Sequence, residues 1–252
     1  MKLGDYELNQ IYNEDSYQAI KKIPDKSIDC IYTDIPYEFI SGKGGGFMQE
    51  RIGRMRNEEL VGLDRGIDLS IYDEFIRIQD KINIFIWLNK YQIQETLNYF
   101  LKYGVLFEIL VWAKDNPIPM TSNVWLSDLE YCLYFRSKGF HLNDGYELKS
   151  KWYSSPINKL DKDEYKHPTI KPLELVKRHI AHATQPNDIV ADFFLGSGTT
   201  CVAAKELGRR YIGFEIDKCY YNIAVDRLNG INANGQTSIF TDFETEQKEM
   251  EI

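Results

Sequence analysis

Apolar and polar positions along the chain switch between two periods, and the switches mark the elements. Ser16–Lys22 has helical spacing and stops before Pro24, which cannot extend it. Ile28–Thr33 is an apolar run closed by Asp34, the pattern of a buried strand. A helix is expected around Leu69–Asp80, where Ile71, Phe75, Ile76 and Ile78 supply the apolar surface. Ile82–Leu88 and Val105–Trp112 read as buried strands on either side of a helix through Tyr91–Leu101. Asn116-Pro117-Ile118-Pro119 is an extended link, because a proline keeps the residue before it out of the helical region. Glu130–Arg136 reads as another strand, and from Lys138 to Lys166 the periodicity disappears. It returns as helix over Leu173–Ala183, strand over Asp188–Phe193, helix over Thr199–Leu207, strand over Arg210–Glu215 and helix over Lys218–Leu228. Strands alternating with helices predict an α/β fold with a mainly parallel sheet covered on both faces.

Composition narrows the setting. At 252 residues the chain suits one large α/β domain or two small ones. Its apolar runs are too short to span a membrane, and Met1 leads into charged residues rather than a signal sequence. Cys30, Cys132, Cys201 and Cys219 are scattered, without zinc-ligand spacing, which fits reduced thiols in a cytoplasmic protein and no metal site. A net charge of −8 counts against a sequence-independent nucleic-acid coat. The basic residues are grouped, however. Lys43, Arg51, Arg54 and Arg56 follow one candidate site, and Lys149, Lys151 and their neighbours up to Arg178 precede another, whereas the tail beyond Asn229 is polar and acidic. Gly42–Gly46 is read as a loop beside the site, because so many glycines exclude a regular element.

Two stretches carry the candidate chemistry. Ala191-Asp192-Phe193-Phe194-Leu195-Gly196-Ser197-Gly198-Thr199-Thr200 is a strand, a glycine turn and a helix start, and Ile212-Gly213-Phe214-Glu215 ends the next strand with a carboxylate. In open α/β sheets such a turn lets a ligand approach the backbone beyond the strand ends, and the following acid can accept both ribose hydroxyls of an adenosine. A dinucleotide fold uses the same acid. Here the third glycine of its fingerprint is missing, and Asp192 would repel a pyrophosphate while suiting an ammonium, so a methionine amine fits better. Upstream, Thr33-Asp34-Ile35-Pro36-Tyr37 closes a strand with a carboxylate, a rigid proline and an aromatic face. The Asp34 side chain and the Ile35 carbonyl could accept both N–H bonds of a planar amine and stabilise positive charge developing on its nitrogen. Tyr37 could stack a flipped base.

These motifs, in this order, resemble the β group of S-adenosylmethionine-dependent DNA amino-methyltransferases. The resemblance rests on D-x-F-x-G-S-G-T-T, on the downstream G-R-R-Y-I-G-x-E, on His167-Pro168-Thr169-Ile170-Lys171-Pro172, and on Trp112–Pro119 as W-x-K-x-N-P-x-P. The group's usual D-P-P-Y or S-P-P-Y appears here with Ile35 in place of the first proline; the backbone carbonyl survives that exchange, and rigidity is less assured. The resemblance implies a circularly permuted Rossmann-like methyltransferase fold over residues 1–230, with a loop insertion at 40–68, a short target-recognition segment at 139–166, and a tail at 231–252. It implies S-adenosyl-L-methionine as cofactor, with Asp192 and the loop Phe194, Gly196, Ser197, Gly198 and Thr199 around the methionine, Glu215 on the ribose, Thr169 and Lys171 near the methionine carboxylate, and Asp15 near the adenine. Asp15 could equally be a helix cap. It implies DNA as partner, with Lys43, Arg51, Arg54 and Arg56 and Lys149, Lys151, Trp152 and Tyr153 as contacts, and admits a homodimer and a cognate restriction endonuclease. Asp34 rather than serine favours adenine N6 over cytosine N4. An RNA amino-methyltransferase and a non-catalytic cofactor- and DNA-binding subunit stay open as alternatives.

Overall fold

The computed structural model describes residues 1–37, 66–117, 119, 123, 125–157 and 170–231. Strands β1 (Lys2–Leu3) and β2 (Tyr6–Glu7) form a small antiparallel pair. Strands β3 (Gln10–Tyr12), β4 (Cys30–Asp34), β5 (Asn83–Leu88), β6 (Leu106–Lys114), β7 (Leu129–Arg136), β8 (Trp152–Ser155), β9 (Ile189–Asp192) and β10 (Arg210–Phe214) build one sheet in the order β3–β10–β9–β4–β5–β7–β6–β8. From β3 to β5 all neighbours are parallel; β7 runs against both β5 and β6, and β8 lies parallel to β6. β9 and β10, late in the chain, sit between β3 and β4, which come early. That is the circular order the motif sequence implies. It brings the carboxyl ends of β4, β9 and β10 side by side.

Helices α1 (Ser16–Ala19), α2 (Ser70–Arg77), α3 (Ile93–Leu101), α4 (Leu173–Ala183), α5 (Thr199–Glu206) and α6 (Lys218–Leu228) cover the two faces. Ala19, Tyr72, Phe75 and Phe100 pack with Ile31, Ile84, Ile86 and Phe214 on one side. Leu175, Val176, Ile180, Ala203 and Ala224 pack with Tyr32, Phe85, Trp87 and Val190 on the other. Successive strand side chains point to opposite faces, so the middle positions of β4 and β5, Ile31 and Tyr32 and Ile84 to Trp87, are apolar on both sides and feed both clusters, while Thr33, Asp34 and Asn83 stand nearer the strand ends. Each such side chain is worth about 1.5–3 kcal/mol when buried. Among the described residues, no helix is long and apolar enough to cross a membrane.

The structure departs from the sequence reading in three places. Val105–Trp112, expected to be buried, forms a strand whose first half is open, with Leu106, Phe107 and Ile109 39–41% exposed. The reason is that β8 pairs only with Val111–Lys114, leaving the start of β6 on the rim of the sheet. The stretch without periodicity contains β8 itself, an edge strand of alternating exposed and half-buried positions with no apolar face to betray it. The strands β1 to β3 are two or three residues long, too short to show a period.

Candidate active site

The half of the candidate site that holds the glycine turn grows out of the end of β9. Asp192 is buried, and its Oδ1 accepts from Thr33 Oγ1 at 2.9 Å and from the Phe194 backbone N–H at 3.1 Å. Burial pushes its carboxyl up to about 7, against the hydrogen bonds from Thr200, Phe194 and Thr33. The chain then turns through Gly196 and Gly198 at φ +53° and +85°, left-handed values that favour glycine. Gly198 also has no room for a side chain, because a Cβ there would lie 2.9 Å from the Cβ of Ala224. The turn is held from both sides. The Gly196 N–H donates to Glu215 Oε2 at 2.7 Å, and Arg227 Nη1 donates to the carbonyl and hydroxyl of Ser197 and the hydroxyl of Thr199 at 2.9–3.0 Å.

Glu215 follows β10 and takes a second backbone bond from the Asp217 N–H at 2.9 Å. Burial raises its carboxyl above the usual range, and those two N–H groups pull it back. The N-terminal turn joins it: Asn13 Nδ2 donates to the carbonyls of Glu215 and Ile216, and Ser16 Oγ donates to the carbonyl of Phe193. Asp15 beside them caps α1, accepting from the Tyr17 and Gln18 N–H groups. Tyr17 meets Phe194 edge-on at 6.3 Å. Asp15, Phe194, the glycine turn and Glu215, distant in the chain, thus share one end of the sheet.

The Thr33–Asp192 bond spans 159 residues and ties this half to the strand carrying Asp34. Ile35 is buried and its N–H donates to the Trp87 carbonyl, while Gln92 Nε2 holds the Pro36 carbonyl at 2.9 Å. The replaced proline is therefore compensated by packing and by a side-chain brace. Asp34 is 26% exposed, and its Oδ2 lies 2.5 Å from Lys171 Nζ. Burial raises its carboxyl, with the Lys171 charge opposing. Lys171, expected beside a methionine carboxylate, has its ammonium on Asp34, 3.1 Å from Glu130 Oε2 and 3.4 Å from the Tyr37 hydroxyl. Glu130 in turn lies 2.6 Å from Lys114. Burial pushes the Glu130 carboxyl upward, but the two lysines outweigh it and hold it near 2. Sequence reasoning missed Glu130, Lys114, Gln92 and Arg227. The available hint was a charge at the site end of each strand, Lys114 as the last residue of β6 and Glu130 as the second of β7.

Of the expected DNA contacts, Lys43, Arg51, Arg54 and Arg56 lie outside the described residues, as does Thr169. Lys149 pairs with Asp144 at 3.3 Å and Lys151 with Glu108. Trp152 is exposed, and Tyr153 is covered by the Arg178 guanidinium at 5.0 Å. Ser155 pairs with Lys114, so the Ser155 end of β8 is the end nearer Asp34, with Lys149 and Lys151 at the other.

The geometry suits S-adenosylmethionine. A dry carboxylate at Asp192 suits an ammonium, a turn that excludes Cβ atoms suits close backbone approach, and Glu215 has acceptor capacity left for ribose hydroxyls. The residues fit the group. The N6/N4 methyltransferase family model, described as DNA methylase, matches residues 43–226, a span that holds Lys171, the glycine turn and Glu215 and begins after Asp34. The chain is 32% identical over 252 residues to the Type II methyltransferase M2.LlaDCHI of Lactococcus lactis subsp. cremoris, covering 87% of this chain and 88% of that protein. It is 31% identical over 255 residues to the Type II methyltransferase M2.DpnII of Streptococcus pneumoniae, covering 88% and 90%. Among solved structures, the M1.HpyAVI–SAM complex superposes with a TM-score of 0.63 at 27% identity, covering 86% of this chain and 98% of that one.

Proposed function

The chain belongs to the DNA methylase family of N6/N4 amino-methyltransferases, and from that premise we propose that it methylates the N6 amine of adenine in DNA with Asp34 as the acceptor for that amine. The observation that carries the reading is the Thr33–Asp192 hydrogen bond, which fixes the end of β4 beside the glycine turn. When bound, S-adenosylmethionine supplies a methyl carbon already activated by its sulfonium. Asp192 would hold the ammonium of its methionine, Glu215 the ribose, and Asp15 with Phe194 the adenine side. The protein's own work is alignment and charge placement. An exocyclic amine is a weak nucleophile because its lone pair is shared with the ring; acceptors at Asp34 and the Ile35 carbonyl favour a tetrahedral nitrogen and stabilise the charge that arrives with the methyl. Tyr37 would stack the base once it has left the duplex. Aspartate rather than serine at position 34 supports adenine.

The test is to express the protein, digest host DNA to nucleosides and look for N6-methyladenine by mass spectrometry; N4-methylcytosine in its place would overturn the base assignment. Asp34→Ala should abolish transfer while leaving cofactor affinity in place. Turnover above a tenth of wild type, a loss of only ~1.4 kcal/mol in the barrier, would remove Asp34 from the chemistry. The exposed apolar pair on one face of β6, Phe107 and Ile109, with Leu106 open on the other, supports the homodimer that the resemblance admits.

A further inference from the structure

Asp34 is the first member of a row of alternating charge. Lys171 lies 2.5 Å from Asp34 and 3.1 Å from Glu130, and Glu130 lies 2.6 Å from Lys114. The members come from β4, from the segment before α4, from β7 and from β6. The row is set deep, with side chains 6% exposed at Lys171, 17% at Glu130 and 14% at Lys114. Indole faces line it: Lys171 lies 5.1 Å from the Trp87 ring and Lys114 5.3 Å from the Trp112 ring. Buried ion pairs rarely improve on well-packed apolar side chains for stability. A row of four ending at the acceptor carboxylate therefore points to a task.

The task follows from what the amine needs. It needs an Asp34 oxygen that is ionised and unshared when charge reaches the nitrogen. Burial alone would favour the neutral acid. Lys171 opposes that, but an ammonium paired with Asp34 alone would claim the carboxylate and set its positive charge against the one developing on the amine. A second carboxylate on its far side relieves both problems. Among the described residues Asp34 Oδ1 is buried and has no hydrogen bond of normal geometry, with the Tyr37 hydroxyl beside the carboxyl, while Oδ2 holds the lysine. We propose that Lys171 and Glu130 are positioning residues for methyl transfer: Lys171 fixes Asp34 through Oδ2 and leaves Oδ1 as the acceptor, and Glu130 shares the ammonium so that it does not quench that acceptor. The proposal rests on the Asp34 reading above.

The experiment uses the full chain, with kcat for DNA methylation followed against pH and S-adenosylmethionine affinity measured by calorimetry. The charged and titratable groups facing Asp34 are Lys171, Glu130 and Tyr37, with Asp192 across on β9 and Tyr32 and Cys132 beneath. Lys171→Met removes the cation that holds Asp34 ionised, so the acid limb of the profile should move to higher pH and the plateau should fall about tenfold or more. Glu130→Gln removes an anion that raises Asp34, so the same limb should move to lower pH, also with a reduced plateau. Lys171→Arg should restore the position of the limb, and cofactor affinity should hold in all three. Should Lys171→Met not fold, the downward shift in Glu130→Gln and the unmoved limb in Lys171→Arg decide the matter. Limbs that stay put, or that move the same way in both charge-removing variants, overturn the proposal. So does a Lys171→Met protein that loses cofactor affinity with its limb unchanged, which would return Lys171 to the cofactor. Failure of the Asp34 reading shows separately, as turnover retained in Asp34→Ala.

Discussion

At Asp192 the fold keeps a carboxylate where water does not reach, and the consequences run through both stability and binding. Its proton is held to about pH 7, whereas an unfolded aspartate gives it up near 4. Between those values the folded, ligand-free protein binds a proton that the unfolded chain has lost. Stability therefore falls as pH rises through that window, and the penalty is complete above about 7. An ammonium placed against Asp192 favours the ionised form, so affinity for S-adenosylmethionine should rise as pH is taken up through about 7. Asp192→Asn should then raise the melting temperature of the ligand-free protein at pH 8 while weakening the cofactor by the ~1.5–3 kcal/mol of a charge-assisted hydrogen bond. Thermal unfolding at pH 6 and pH 8 beside calorimetric binding measures both. A melting temperature that drops at pH 8, or an affinity that does not change, would show that Asp192 is a structural group only.

At the scale of elements, α6 is the clamp on the glycine turn. Ala224 lies against Gly198, and Arg227, one turn on along the same face, donates to Ser197 and Thr199. The helix is anchored at its start by Asp217, whose side chain accepts from the Cys219 and Tyr220 N–H groups. Gly198→Ala combines a left-handed backbone, costing about 1–2 kcal/mol, with a clash that can be relieved only by moving α6. For a chain of this length each kcal/mol is worth roughly 2–4 °C in melting temperature. The variant should melt several degrees lower and bind S-adenosylmethionine more weakly than the wild type. A soluble Gly198→Ala protein with native cofactor affinity would mean that α6 packs on the turn without shaping it.

Taken as a whole molecule, the protein carries a net charge of −8 and yet acts on a polyanion, so its basic residues must be placed rather than plentiful. Lys149 and Lys151 are engaged by Asp144 and Glu108, toward the end of β8 away from Asp34. The set Lys43, Arg51, Arg54 and Arg56 follows β4 directly in the chain and is the one we propose for the phosphates. Neutralising it should weaken binding to every DNA sequence alike and flatten the plot of log affinity against log salt by about 0.9 for each phosphate that the variant no longer neutralises. Filter or anisotropy titrations across a salt series would measure the slope. An unchanged slope would leave these four as solvated charges.

Much of this was readable in one dimension, for definable reasons. Helices α4 and α6 fall where the period of apolar residues placed them, because a helix that buries one face repeats its signal over several turns. The glycine turn and its carboxylates were legible because backbone conformation and close approach restrict the residue type locally. The parallel core was also legible, since β4 and β5 feed both faces and carry runs of apolar residues at consecutive positions, Ile31 and Tyr32 in one and Ile84 to Leu88 in the other. What the chain could not show was which distant residues meet. An edge strand such as β8 is defined by its partner rather than by its own pattern, and half of β6 is exposed only because that partner is short. Lys171 has the same limitation: its neighbours in the sequence suggest a cofactor loop, and its surroundings put it on Asp34 and Glu130. A charge is buried only where an opposite charge waits, and the positions of Lys114, Glu130 and Asp34 around it are set by the order of strands in the sheet.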